Sequence, residues 1–241
     1  MAQTKTKTFR YGWFLFGLTA LFYCYEYLLR IAPSVMSTEL MGYYALNATA
    51  FGNLFAVYYY IYTPMQIPVG LMLDRFGSRF LLTLACLICA VGTFIFACSH
   101  HLWIAQLGRL FVGFGSAFAF VGVLKVASVW LPPSRFGMIA GLTTSLGMLG
   151  AMFGDNVIAV LVKDIGWQVT MYGSAAFGLI LTGVIWGAMR NASPQSKQET
   201  SHSNMTMKQL LANILDLLKK PQMWLVAFIG GILYTSLSVF A

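Results

Sequence analysis

Charge is what this sequence has least of. Asp, Glu, Lys and Arg together make up 9% of the residues, against about 25% in an average soluble domain. Acids are the scarcer sign, with seven Asp and Glu against fifteen Lys and Arg. So dilute a charge excludes an ordinary soluble domain. It also excludes a nucleic-acid partner: the net charge of +8 is not gathered on one polar region but scattered at the ends of apolar runs. Cysteine and histidine are few. Cys86 and Cys89 make a C-x-x-C, but no second pair or histidine set accompanies them. They read as small buried hydrophobes, and no metal or cofactor is expected. No Ser–His, carboxylate-pair or ligand constellation stands at matched depth, so no enzyme is expected. Nor is there a small-residue cleavage site after a short apolar core, so the first apolar run is not read as a removable signal peptide.

Apolar residues dominate instead, at 59% with a mean hydropathy of +0.73. A bilayer core takes about 20 helical residues to cross. On that rule six runs span, at 13–36, 50–73, 80–99, 102–131, 136–162 and 167–189, and a further run, 224–241, starts a seventh. Each must be a helix, because lipid offers no partner to open backbone groups. The expectation is an all-α polytopic bundle: a tail over 1–12, six helices over 13–189, a linker over 190–222 and an incomplete seventh helix over 223–241.

Lys and Arg orient it. Lys5, Lys7, Arg10, Arg75, Arg79, Arg135, Arg190, Lys197, Lys208, Lys219 and Lys220 fall on one side, and the alternate connections hold only Lys163. The positive-inside rule puts the amino terminus in the cytoplasm of a multi-pass inner (plasma) membrane protein. Within the linker, "TMKQLLANILDLLKK" sets Leu210, Leu211, Ile214, Leu217 and Leu218 on one helical face. That pattern suits a short helix on the membrane surface or on the protein's own cytoplasmic side.

Between the second and third runs lies "VGLMLDRFGSRFLL", which holds Gly70, Asp74, Arg75, Gly77 and Arg79 in the order G-x-x-x-D-R-x-G-x-R. Gly77 suits a tight turn. In the fourth run "GRLFVGFG" places Arg109 before Gly113 and Gly115. Both stretches resemble motifs of the major facilitator superfamily of secondary transporters. The six crossings, the long linker and the start of a seventh match that family's layout. The resemblance implies half of a major-facilitator fold, with transport by alternating access. It implies that the loop residues act as a conformational latch between two halves. "YEYLLRIAPSVM" and "YYYIYTPMQIPVGLMLDRFGSR" look most like bacterial nutrient-uptake members, either amino-acid carriers of the phagosomal-transporter type or organic-anion:proton symporters. Exporters of the family carry a Gly-Pro in helix five. "GMLGAMFGDN" has the glycines without the proline, which favours uptake. Family members have twelve crossings, so this chain is expected either to be a fragment or to need a second chain.

Ionisable groups at membrane depth are functional candidates, because burying charge there is costly. Glu26 and Arg30, four apart, share one helix face. Arg30, Arg109 and Asp155 lie roughly 10 Å below the outer surface by helical rise. If their helices face one cavity, the arginines form a layer suited to a substrate carboxylate. A proton on Glu26 would then free Arg30 to hold the anion. Lys125 falls near the cytoplasmic edge, and Tyr58 and Gln66 add polar groups on the second helix. The set Glu26, Arg30, Tyr58, Gln66, Arg109, Lys125 and Asp155 is therefore the expected site for a small polar or anionic substrate and a coupling proton. Each member has a structural alternative: an ion pair for Glu26–Arg30, helix-one carbonyls for Arg109, a snorkelling anchor for Lys125, packing for Tyr58 and Asp155. A half-length component that does not transport is the alternative for the whole chain.

Overall fold

In the computed structural model, residues 2–189, 216 and 219–240 are described. Among them every regular element is helical. The elements are α1 (Ala2–Val35), α2 (Ser37–Tyr43), α3 (Ala48–Phe76), α4 (Ser78–Ala97), α5 (Leu102–Trp130), a 3₁₀ turn (Pro133–Arg135), α6 (Phe136–Ile165), α7 (Trp167–Ala188) and α8 (Pro221–Phe240). The chain divides into two compact units, 1–199 and 200–241. The first holds α1 to α7, and the second holds α8. The surface helix expected over 206–220 lies almost wholly outside the described residues.

Five helical stretches are long and apolar enough to cross a membrane: Arg10–Val35, Ser78–Ala97, Leu102–Trp130, Pro133–Ile165 and Trp167–Ala188. The sixth expected crossing, α3, has 29 residues and so has the length. It falls short in apolarity, because Tyr58, Tyr59, Tyr60, Tyr62, Gln66, Pro64 and Pro68 dilute it. Two other boundaries differ from the sequence reading. Helix α1 runs back to Ala2 through the stretch expected only as a tail. The connection 37–49 contains α2, which has Glu39 in its first turn, where an acid suits the helix dipole, and Leu40 fully buried.

Local signals explain the helix ends. Asn47 caps α3, its side chain accepting from Ala50 N at 2.8 Å. Between α3 and α4 the chain turns on Gly77 at φ +81°, a conformation that side-chain-bearing residues rarely adopt. That is the role the sequence assigned it.

Helix α5 is the hub of the first unit, packed against α1, α3 and α4, while α6 packs on α1 and α7 on α4. Small residues set these distances. A Cβ on Gly113 would lie 2.3 Å from the Tyr58 backbone oxygen, and one on Gly115 would lie 2.5 Å from the Ala85 oxygen. The Gly147, Gly150 and Gly154 stripe of α6 lies against Tyr23, Cys24 and Leu28 of α1. Cys86 and Cys89 are fully buried among these helices, as free thiols. Close backbones bring α1, α3 and α5 near enough for their polar side chains to meet.

Candidate functional site: a buried ion pair between three helices

Glu26 is fully buried and Arg30 is 6% exposed. One helical turn apart on α1, they meet as the spacing predicts. Arg30 donates to Glu26 Oε1 from Nη2 at 2.6 Å and from Nε at 2.9 Å. Helix α3 supplies the third member. The Tyr58 hydroxyl donates to the same Oε1 at 2.6 Å and accepts from Arg30 Nε at 3.1 Å. Oε1 thus takes three donors, while the buried Oε2 has no hydrogen-bond partner among the described residues.

Tyrosine rings enclose the guanidinium. The Arg30 Cζ stands 4.6 Å from the Tyr27 ring centre, 4.8 Å from Tyr62 and 5.6 Å from Tyr58. Cation–π attraction strengthens when the cation is desolvated, so the cage holds Arg30 independently of Glu26. Tyr62 stacks on Tyr58 at 5.4 Å and 20°. Tyr27 and Tyr62 were not singled out as site residues by the sequence reading. Helical spacing from Arg30 and Tyr58 was the signal that could have found them.

Arg109 reaches the cluster by a different route. It is 2% exposed. Its Nη1 donates to the Leu29 carbonyl at 2.9 Å and its Nη2 to the Arg30 carbonyl at 3.5 Å. Its Cζ lies 4.9 Å from the Tyr58 ring. The expected open cationic layer is thus replaced by a division of labour. Arg30 meets a carboxylate, and Arg109 ties α5 to the α1 backbone beside it. The void next to Arg109, lined by Leu29, Thr93, Val112 and Met171 among others, amounts to about 10 Å³. That is water-sized at most, with no room for a substrate carboxylate.

Three expected members lie elsewhere. Asp155 is exposed on α6, one residue beyond the glycine stripe that faces α1, and it does not join Arg30 and Arg109. Gln66 is exposed on α3. Lys125 pairs with Asp74 at 2.8 Å, both partly exposed. Asp74 and Lys125 help line a groove of about 220 Å³ with Gly70, Leu73, Ser128 and Phe136. Lys125 therefore belongs with the loop motif, a placement its predicted depth near the cytoplasmic edge already allowed. The loop arginines pair with rings: Arg79 Cζ lies 3.9 Å over Trp186 of α7, and Arg75 Cζ lies 5.4 Å from Phe76.

A second polar group of contacts lies at the opposite ends of these helices. Tyr43 Oη is 2.9 Å from His100 Nδ1, and the Tyr44 hydroxyl donates to the Ser99 carbonyl at 3.0 Å. These bonds tie the end of α2 to the α4–α5 turn. His100 is exposed yet engaged.

Comparison with known proteins places this arrangement. The family profile described as Major Facilitator Superfamily matches residues 14–241. The uncharacterised transporter YybO of Bacillus subtilis is 29% identical over 230 residues, covering 91% of this chain and 52% of that protein. The probable sulfoacetate transporter SauU of Cupriavidus necator is 27% identical, covering 81% of this chain and 44% of that protein. This chain spans about half the length of the curated relatives it matches. The crystal structure of a bacterial homologue of the human lysosomal transporter Spinster, inward-facing and unoccupied, aligns at a TM-score of 0.67. It is 16% identical and covers 76% of this chain and 44% of its own. At that identity the likeness speaks for the fold.

Proposed function

The chain belongs to the Major Facilitator Superfamily, and from that premise we propose that it is the amino-terminal half of a secondary carrier that takes up a small organic anion together with a proton. The carrier works by alternating access, and a second six-helix half comes from further chain or from a second chain. It lies in the inner membrane with its amino terminus in the cytoplasm, in keeping with the bias of Lys and Arg.

The observation that carries this reading is the Glu26–Arg30 pair, buried almost completely on a crossing helix. A buried ion pair contributes little to stability over an apolar replacement, so its presence at membrane depth favours a working role. Arg30 keeps a sliver of exposure where Glu26 has none, so an arriving anion meets the guanidinium first. With Glu26 ionised, Arg30 is taken. A proton on Glu26 weakens Oε1 as an acceptor, and the caged guanidinium becomes free to grip a carboxylate or sulfonate at two points. Substrate and proton then travel together. The relative named for sulfoacetate supports an anion as the substrate class. Arg109 holds α1 in register for this exchange. The Asp74 loop with Lys125 forms the latch.

The test is uptake of radiolabelled sulfoacetate and small dicarboxylates into liposomes that hold the full-length carrier, with an imposed pH gradient. Glu26→Gln is expected to abolish accumulation driven by the gradient while retaining anion exchange. Accumulation that persists in this variant overturns the proton role of Glu26.

A further inference from the structure

Helix α6 is the most open of the crossing helices. Only 22% of its crossing stretch is buried, against 61% in each of α1, α4 and α5. One side is accounted for, since Gly147, Gly150 and Gly154 lie against α1. The remaining surface is of two kinds. Thr144 and Ser145 stand about three helical turns before Asp155 and Asn156, so these four exposed polar residues share one side. Leu142, Leu149, Phe153 and Val160 recur at helical spacing on another side, all of them exposed.

The apolar side suits acyl chains. The polar side does not, because it carries a carboxylate. Asp155 lies roughly 10 Å below the outer surface by helical rise, where ionisable side chains almost always face protein or water and find a partner. Thr144 and Asn156 are satisfied on their own helix, donating to the Ala140 carbonyl at 3.1 Å and the Met152 carbonyl at 2.9 Å. An ionised carboxylate only accepts, so that route is closed to Asp155. No ion pair among the described residues includes it. The complement of this charge is a cation on a neighbouring helix. The chain spans about half the length of its curated relatives, which leaves a body of similar size to cover this side of α6.

We propose that Asp155 is the α6 member of an ion pair whose Lys or Arg comes from the second half of the carrier, seated on the Thr144–Asp155 side. The proposal rests on the two-half reading above and is independent of the proton role of Glu26. The pair lies in the outer part of the membrane, whereas the Asp74–Lys125 pair lies at the cytoplasmic side. It therefore holds the halves together outside while the carrier is open inward.

The test needs no substrate. In the full-length carrier in liposomes, photoreactive p-benzoylphenylalanine replaces Thr144 in one variant and Phe153 in another. Light should join position 144 to peptides of the second half and position 153 to lipid. Adducts from 144 only to lipid, to residues 1–241 or to a second copy of the carrier overturn the docking. The charge is tested by melting the detergent-solubilised carrier. Asp155→Asn should melt at least about 3 °C lower, and Asp155→Glu should recover most of that difference. An unchanged or raised melting temperature in Asp155→Asn overturns the ion pair. Anion uptake by the unsubstituted carrier, measured in the same liposomes, tests the transport reading separately, so either can fail without the other.

Discussion

Tyr58 on α3 donates to Glu26 on α1 at 2.6 Å, and the same oxygen accepts from Arg30. One phenol therefore joins two helices and touches both partners of the ion pair. Its ring also lies 4.9 Å from Arg109 of α5. It is the meeting point of the three helices.

Tyr58→Phe keeps the ring and removes the hydroxyl. It deletes one charge-assisted donor to Glu26 and the acceptor for Arg30 Nε. The expected loss is about 1.5–3 kcal/mol of stability, the usual range for a hydrogen bond to a charged group. The detergent-solubilised protein should melt at lower temperature with its helix content unchanged by circular dichroism.

Removing Arg30 alone should cost more than removing the pair. Arg30→Met leaves a buried carboxylate without its cation, at about 3–5 kcal/mol, whereas the double change Glu26→Gln with Arg30→Met removes both charges and recovers most of that loss. Thermal melts of the two single variants and the double variant form the cycle that checks this. Strict additivity would show that the ion pair does not couple its two partners energetically.

The glycine at 113 matters for the site as well as for packing. A methyl group there meets the Tyr58 backbone oxygen at 2.3 Å, so Gly113→Ala must push α3 from α5 and draw the phenol off Glu26. Gly183→Ala meets nothing within 4 Å and serves as the matched control. Gly113→Ala is expected to lower stability by about 1–3 kcal/mol, the range for overpacking, and Gly183→Ala to leave it within about 0.5 kcal/mol.

Asp74 and Lys125 pair across α3 and α5 with both side chains partly in solvent. Such a pair is worth roughly 0–1 kcal/mol, less at high salt. Asp74→Asn should therefore leave the melting temperature almost unchanged. If the loop is a latch, the same change alters the balance of conformations. Cysteine accessibility measured from the two sides of the membrane in the full-length carrier should shift. The swap Asp74→Lys with Lys125→Asp should restore it in part.

Much of this protein follows from the sequence alone. Hydropathy is a sum over neighbours in the chain, so scarce charge and long apolar runs are enough to place the crossing helices. They do so within a few residues, with α3 alone too rich in tyrosine to reach full apolarity. The turn at Gly77 and the pairing of Glu26 with Arg30 are also local, one set by backbone conformation and the other by a single helical turn. Tertiary structure decided the rest, because a charge's partner depends on helix rotation and on which helix stands opposite. Equal depth suggested that Arg109 and Asp155 shared a cavity with Arg30. Instead, α5 turns Arg109 onto the α1 carbonyls, and α6 presents its glycines to α1 and leaves Asp155 exposed. Lys125 found Asp74 and Arg79 found Trp186 for the same reason. The runs state how deep each group lies, and only the close glycine contacts between helices state which way it points.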